Sequence, residues 1–145
     1  MIWIVLDTNV LLKGFLSHIN PSRRIINLAL AGKIVIAGSQ VTMEEFHEKI
    51  VMNKFKPFYD KQKFSPEMLA NAYSNVVTLV EISDEIKSVT VSRDADDDEF
   101  IRVALAKGAK IIVTEDKDLL DLGRHGDIRI LQPKKFIELY EKVKR

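Results

Sequence analysis

The side chains of this sequence best suited to catalysis or metal binding are its carboxylates. Asp7 ends the apolar run Ile2-Trp3-Ile4-Val5-Leu6 and is followed by Thr8 and Asn9. Asp116 and Asp118 follow a second apolar run, Lys110-Ile111-Ile112-Val113, after Thr114 and Glu115. Between the two runs, five of the six residues from Asp94 to Glu99 are acidic. Carboxylates brought together repel unless a cation lies among them, and a divalent ion would offset that repulsion. Helix capping is the competing role: Asp7 suits an N-cap, and Asp96 with Glu99 suits a capping box in a first turn that favours acids. Capping needs one or two acids, however, and the surplus between Asp94 and Glu99 is short and flanked by regular structure, unlike a disordered acidic tail.

The elements that would hold these acids alternate strand and helix. Ile2 to Leu6 lacks polar alternation, as a parallel strand covered on both faces does, and such sheets bind ligands beyond the carboxyl ends of their strands. If the run ending at Thr114 is a parallel neighbour, Asp7 and Asp116 converge at one edge. Val10 to Leu16 starts a helix, Asn20-Pro21 caps the next, and Gly32 ends it before the strand Lys33 to Ala37. A helix capped by Ser39, or by a Thr42–Glu45 box, runs to about Asn53. The pattern breaks from Lys54 to Phe64. Ser65-Pro66 opens another helix through Tyr73, Val76 to Ile82 reads as a strand, and Asp84 to Val91 is ambiguous. The acids up to Glu99 cap a helix from Phe100 to Lys107, which Gly108 ends. Ile128 to Leu131 is a last strand and Pro133 opens a final helix. This order predicts one α/β domain over 1–145, a mainly parallel central sheet flanked by helices.

Composition removes several alternatives. With 145 residues, 46% of them hydrophobic, the chain can bury a full core. It has no cysteine, which excludes disulfides, thiolate zinc sites and a cysteine nucleophile. No run approaches the roughly 18 apolar residues of a membrane span, and a cytoplasmic protein without membrane attachment is expected. Net charge is +1, so any attraction to nucleic acid must be local. There is no Gly-rich phosphate loop or nucleophile elbow, and His18, His47 and His125 are isolated.

Over nearly its whole length the sequence resembles the PIN-domain nucleases. The resemblance rests on Leu6-Asp7-Thr8-Asn9 closing the first strand and on Ser39 to Phe46, with Glu45 in the acid position. It rests further on Asp94, Asp97, Asp98 and Phe100 in an Asp-x-x-Asp-Asp-x-Phe pattern, and on Val113 to Leu120 around Asp116. It implies a three-layer PIN-like fold and a set of metal-ligating, catalytic acids: Asp7, Glu45, Asp97 and Asp116. Thr8, Asn9, Thr114, Asp94, Asp98 and Asp118 stand beside them, where they could orient the ligands or cap helices. Glu44 competes with Glu45; Asp94, Asp96 and Asp98 compete with Asp97; and Asp118 competes with Asp116. Four carboxylates without sulfur or paired imidazole favour Mg2+ or Mn2+, in a one-metal or two-metal arrangement.

The implied activity is endoribonuclease cleavage of single-stranded or loop RNA, in the role of a toxin. The implied partners are RNA, a small antitoxin protein and a second copy of the chain in a homodimer. An acidic cup repels RNA, so a basic flank is needed. Lys54, Lys56, Lys61 and Lys63, interleaved with Phe55, Phe58 and Tyr59, are the leading candidates for RNA contact, against simple packing of the aromatics. Two other functions compete. One is a catalytically idle RNA-binding or assembly subunit of the same fold. The other is a phosphoacceptor receiver domain, which would need an acidic pair near the first strand where this chain has Asp7 alone.

Overall fold

The structure, a computed structural model, describes residues 1–52, 64–91 and 95–144. Lys54, Lys56, Lys61, Lys63 and Asp94 lie outside these residues. The described elements are β1 (Ile2–Leu6), α1 (Thr8–Phe15), α2 (Pro21–Leu30), β2 (Ile34–Gly38), α3 (Gln40–Ile50), α4 (Pro66–Val76), β3 (Val77–Leu79) and α5 (Asp84–Lys87). They continue with α6 (Ala95–Lys107), β4 (Ile111–Val113), α7 (Lys117–Leu122), β5 (Arg124–His125), β6 (Ile128–Leu131) and α8 (Pro133–Lys144).

The strands form a six-stranded sheet in the order β3-β2-β1-β4-β6-β5. Every pairing is parallel except that of β5 with β6. Alternate residues of one strand face opposite layers. Ile4, Leu6, Ile34 and Ile36 pack with Phe15, Ile25, Phe46 and Phe136, whereas Val5, Ala37, Ile112 and Ile130 pack with Ile101, Ala104 and Leu119. The predicted three-layer α/β architecture is therefore present. From β1 the chain moves through β2 to β3 on one side, and later places β4 and β6 on the other. β1 and β4 thus flank the point where strand order reverses, and the crevice beyond their carboxyl ends is where ligands bind in such sheets.

Several local boundaries differ from expectation, among them the start of α1 at Thr8 and not Val10. The third strand is Val77–Leu79, shorter than Val76 to Ile82, because its partner β2 ends at Gly38, opposite Leu79. Helix α3 ends at Ile50, short of Asn53, and its capping box joins Ser39 to Thr42, leaving Glu45 to bond elsewhere. Helix α6 starts at Ala95, so Asp97, Asp98 and Glu99 lie inside its first turns and do not precede it. The two-residue strand β5 and the short helix α7 are too brief to leave a periodic signal. Gly108, with φ +70°, ends α6 in the left-handed conformation expected of it and returns the chain to β4.

Candidate functional site

Three consecutive residues at the end of β1 reach three different parts of the fold. Asp7, buried at the mouth of the crevice, accepts the Thr114 hydroxyl proton across the β1–β4 boundary through Oδ2, and its Oδ1 accepts from Val10 N at 3.1 Å. Thr8 Oγ1 donates to Glu45 Oε2 on α3 at 3.0 Å. Asn9 Oδ1 accepts from Lys49 Nζ, also on α3, at 3.1 Å. The register places these residues by backbone bonds, since Asp7 N donates to Val113 O at 3.0 Å. Thr114 is fully buried and its Oγ1 also accepts from Asp116 N at 2.9 Å. One hydroxyl thus ties the carboxylate of β1 to the backbone of the segment carrying Asp116.

Asp7 is both a helix cap and a cleft residue, so its two sequence-level roles are not exclusive. Asp116 repeats the arrangement: it caps α7 through Leu119 N, at 3.4 Å, while facing the acids of α6. Burial pushes the Asp7 carboxyl above its ordinary pKa, opposed by the Thr114 hydroxyl, the Val10 and Asn9 amides and the charge of Lys49. The Lys49 charge is thus one of the groups that favour the ionised form of Asp7 against its burial.

Asp97, Asp116 and Asp118 each present a carboxylate oxygen within 4.8 Å of the other two. Around magnesium or manganese, with metal–oxygen distances of about 2.1 Å, adjacent ligand oxygens stand about 3 Å apart and opposite ones about 4.2 Å. A mutual separation of at most 4.8 Å is of the same order, so the three acids fit a hard divalent cation. Hard oxygen donors of this kind suit Mg2+ or Mn2+ better than a metal preferring sulfur or imidazole. Asp118, expected beside Asp116 either as its support or as a competing ligand, sits with it at this position. Its place follows from the turn into α7, which returns position 118 beside 116.

The competing acids occupy different surroundings. Glu44 is exposed and accepts from Gln40 Nε2 at 3.0 Å, whereas Glu45 meets Thr8 in the half-buried interior of the cup. Asp98 is buried away from solvent and accepts from Val91 N at 3.0 Å, tying down the segment before α6. Glu99 accepts from Ser39 Oγ at 2.6 Å and pairs with Arg102, which fastens α6 to the start of α3. Glu115 points outward to Lys13 at 2.8 Å. Lys49 was not anticipated as part of the site, although its spacing from Glu45 puts the two on one helix face. His47 packs edge-on against Tyr73, as a packing histidine would.

A cleft of about 640 Å³ opens beside the acids, lined by Asp7, Asn9, Lys13, Asn20, Asp116 and Lys117 among others. Its lining combines carboxylates with cationic and amide groups, and it is large enough for a nucleotide-sized group.

A PIN-domain family model matches residues 3–118. No curated protein matches the chain by sequence. Among solved structures, a chain of VapBC2 from Rickettsia felis, bound to a promoter DNA fragment, aligns with TM-score 0.58 and 16% identity, over 89% of this chain and 97% of its own. FitAcB from Neisseria gonorrhoeae aligns with TM-score 0.56 and 13% identity, over 90% and 98%. PAE2754 from Pyrobaculum aerophilum aligns with TM-score 0.59 and 17% identity, over 97% and 98%. At these identities the structural likeness speaks for the fold alone.

Proposed function

The chain belongs to the PIN-domain family, and from that premise we propose that it is a metal-dependent endoribonuclease hydrolysing phosphodiester bonds in single-stranded or loop RNA. The observation that carries this reading is the approach of Asp97, Asp116 and Asp118 within 4.8 Å, next to the Asp7–Thr114 pair at the reversal point of the sheet. In this reading Asp7, Glu45, Asp97 and Asp116 form the acidic cup, with Asp118 joining it. A bound Mg2+ or Mn2+ ion supplies Lewis acidity toward a phosphate oxygen and lowers the pKa of water.

The chain's own groups do the positioning. Thr114 holds the Asp7 carboxylate in one rotamer and Thr8 holds Glu45, so neither must reorganise as negative charge develops on the phosphate. Buried walls around Asp7 lower the local dielectric and strengthen these interactions. Lys13 and Lys117 at the rim of the cleft, together with the Lys54, Lys56, Lys61 and Lys63 segment, would meet the phosphate backbone of RNA.

The family resemblance, with the fold match to VapBC2 and FitAcB, supports the further reading that the chain is the toxin of a toxin–antitoxin pair. A small antitoxin and a second copy of the chain are then its expected protein partners. Among the described residues no helix is long and apolar enough to cross a membrane, in keeping with a cytoplasmic site of action. An idle RNA-binding subunit is the competing reading, disfavoured by the retention of all the acids. Incubating the purified chain with single-stranded RNA, with and without manganese, separates the two: fragments only with manganese support the nuclease, and binding without cleavage supports the idle subunit.

A further inference from the structure

Asp97, Asp116 and Asp118 each bring a carboxylate oxygen within 4.8 Å of the other two. Asp7 and Glu45 form a second group, Asp7 accepting from Thr114 and Val10 and Glu45 accepting from Thr8. A cation of the protein already stands beside this second group. Lys49 Nζ is 3.1 Å from Asn9 Oδ1 and 3.8 Å from Glu45 Oε1, with its side chain only 25% exposed. Its charge also reaches Asp7, where it opposes the effect of burial.

We infer that Lys49 supplies the second positive charge of the acidic cup, so that the site works with one divalent ion at Asp97, Asp116 and Asp118 and with a fixed ammonium beside Asn9 and Glu45. The inference rests on the nuclease reading and deepens it. A divalent ion at Glu45 would have to displace or closely approach the ammonium, and like charges at such separations repel. The ammonium has three N–H donors; one goes to Asn9 Oδ1, and Glu45 at 3.8 Å is an ion-pair neighbour beyond hydrogen-bond reach, so a donor remains for a phosphate oxygen. Asn9 and Glu45 hold the lysine stem in place, so little ordering remains to be done when substrate arrives. In hydrolysis, the water oxygen bonds to phosphorus, the bond to the leaving ribose oxygen breaks with its electron pair on that oxygen, and a proton lost by the attacking water ends on it, so no proton is drawn from the protein overall. Lys49 would stabilise the charge on the phosphate oxygens throughout, without giving up a proton.

The test titrates manganese into metal-free protein by calorimetry, and measures RNA cleavage on the same preparations of the wild type, Lys49→Met and Lys49→Arg. The wild type should bind one Mn2+ per chain. Lys49→Met, which keeps the stem and removes the charge, should admit a second ion and lower kcat by about 100-fold or more, the scale of losing a preorganised charge contact. Lys49→Arg should keep one ion and stay within about tenfold of wild-type cleavage. Melting curves establish that each variant is folded. Two ions in the wild type would overturn the inference, as would a Lys49→Met protein with unchanged stoichiometry and cleavage. A folded wild type that neither binds manganese nor cuts RNA would instead overturn the nuclease reading beneath it.

Discussion

The Thr114 hydroxyl donates to the Asp7 carboxylate across the boundary between β1 and β4, and the same oxygen accepts the Asp116 amide. Two acids 109 residues apart in sequence (116 − 7) are thus joined through a single buried side chain. Thr114→Val keeps the shape and removes both bonds. It should destabilise the fold by about 1–3 kcal/mol, the cost of leaving buried polar groups without their partner. It should also weaken manganese binding by about tenfold or more. Urea melts and a manganese titration check both, and a variant within about 0.5 kcal/mol of wild type with unchanged affinity would speak against this link.

Asp7 should make metal-free stability depend on pH. Burial raises its carboxyl above the ordinary 3.8, so protonation favours the folded state. That contribution is full below 3.8 and is lost as pH rises through the raised folded value. At neutral pH in chelator, Asp7→Asn should therefore be more stable than wild type, by about 1.4 kcal/mol for each unit by which folding lifts the pKa. The advantage should shrink on acidification and vanish below 3.8, where the wild-type carboxyl is neutral too. Denaturant melts across pH provide the comparison, and an Asn variant less stable at pH 7 would contradict the sign.

Asp97 distinguishes a metal centre from a set of helix acids. In chelator, Asp97→Asn should be more stable than wild type, because one of the crowded charges is gone. Manganese should then stabilise the wild type by mass action, by about 2.7 kcal/mol at one hundred times its dissociation constant, and the variant far less. If the two proteins respond alike to manganese and have equal stability in chelator, Asp97 is only a first-turn acid.

The lysines between Lys54 and Lys63 lend themselves to a salt titration. Changing Lys54, Lys56, Lys61 and Lys63 to alanine should weaken RNA binding regardless of sequence. For four lost phosphate contacts on a single strand, the slope of log affinity against log salt should flatten by about 3. An unchanged slope would route the RNA along Lys13 and Lys117 at the cleft instead.

The strands and the main helices were legible because buried parallel strands leave unbroken apolar runs, and because Gly and Pro mark the ends of the neighbouring helices. Asp7 and Asp116 could be paired in advance, since each closes such a run. What the sequence could not carry was the division of labour among neighbouring acids. Asp97, Asp98 and Glu99 are adjacent and alike in sequence, yet one faces Asp116, the next anchors Val91 and the third fastens Ser39. Successive helical positions point about 100° apart, so the difference depends on how α6 is rotated against the sheet. Lys49 was hidden for the same reason: its role depends on Asn9, which lies 40 residues earlier. The brief elements α7 and β5 escaped notice because too few residues define a period, and α7 is what returns Asp118 to the cup.

If the converging acids hold a metal for cutting RNA, Asp116→Asn should remove cleavage without unfolding the chain. Asn still caps α7, so the variant should fold as the wild type does, with a matching circular dichroism spectrum. The measurement is RNA cleavage by both proteins in manganese, in magnesium and in excess chelator. The wild type should cleave with either metal and not in chelator, and folded Asp116→Asn should lose at least about 100-fold. Wild-type cleavage that survives chelation, or a folded Asp116→Asn that cuts as fast as the wild type, would contradict that role for the acids.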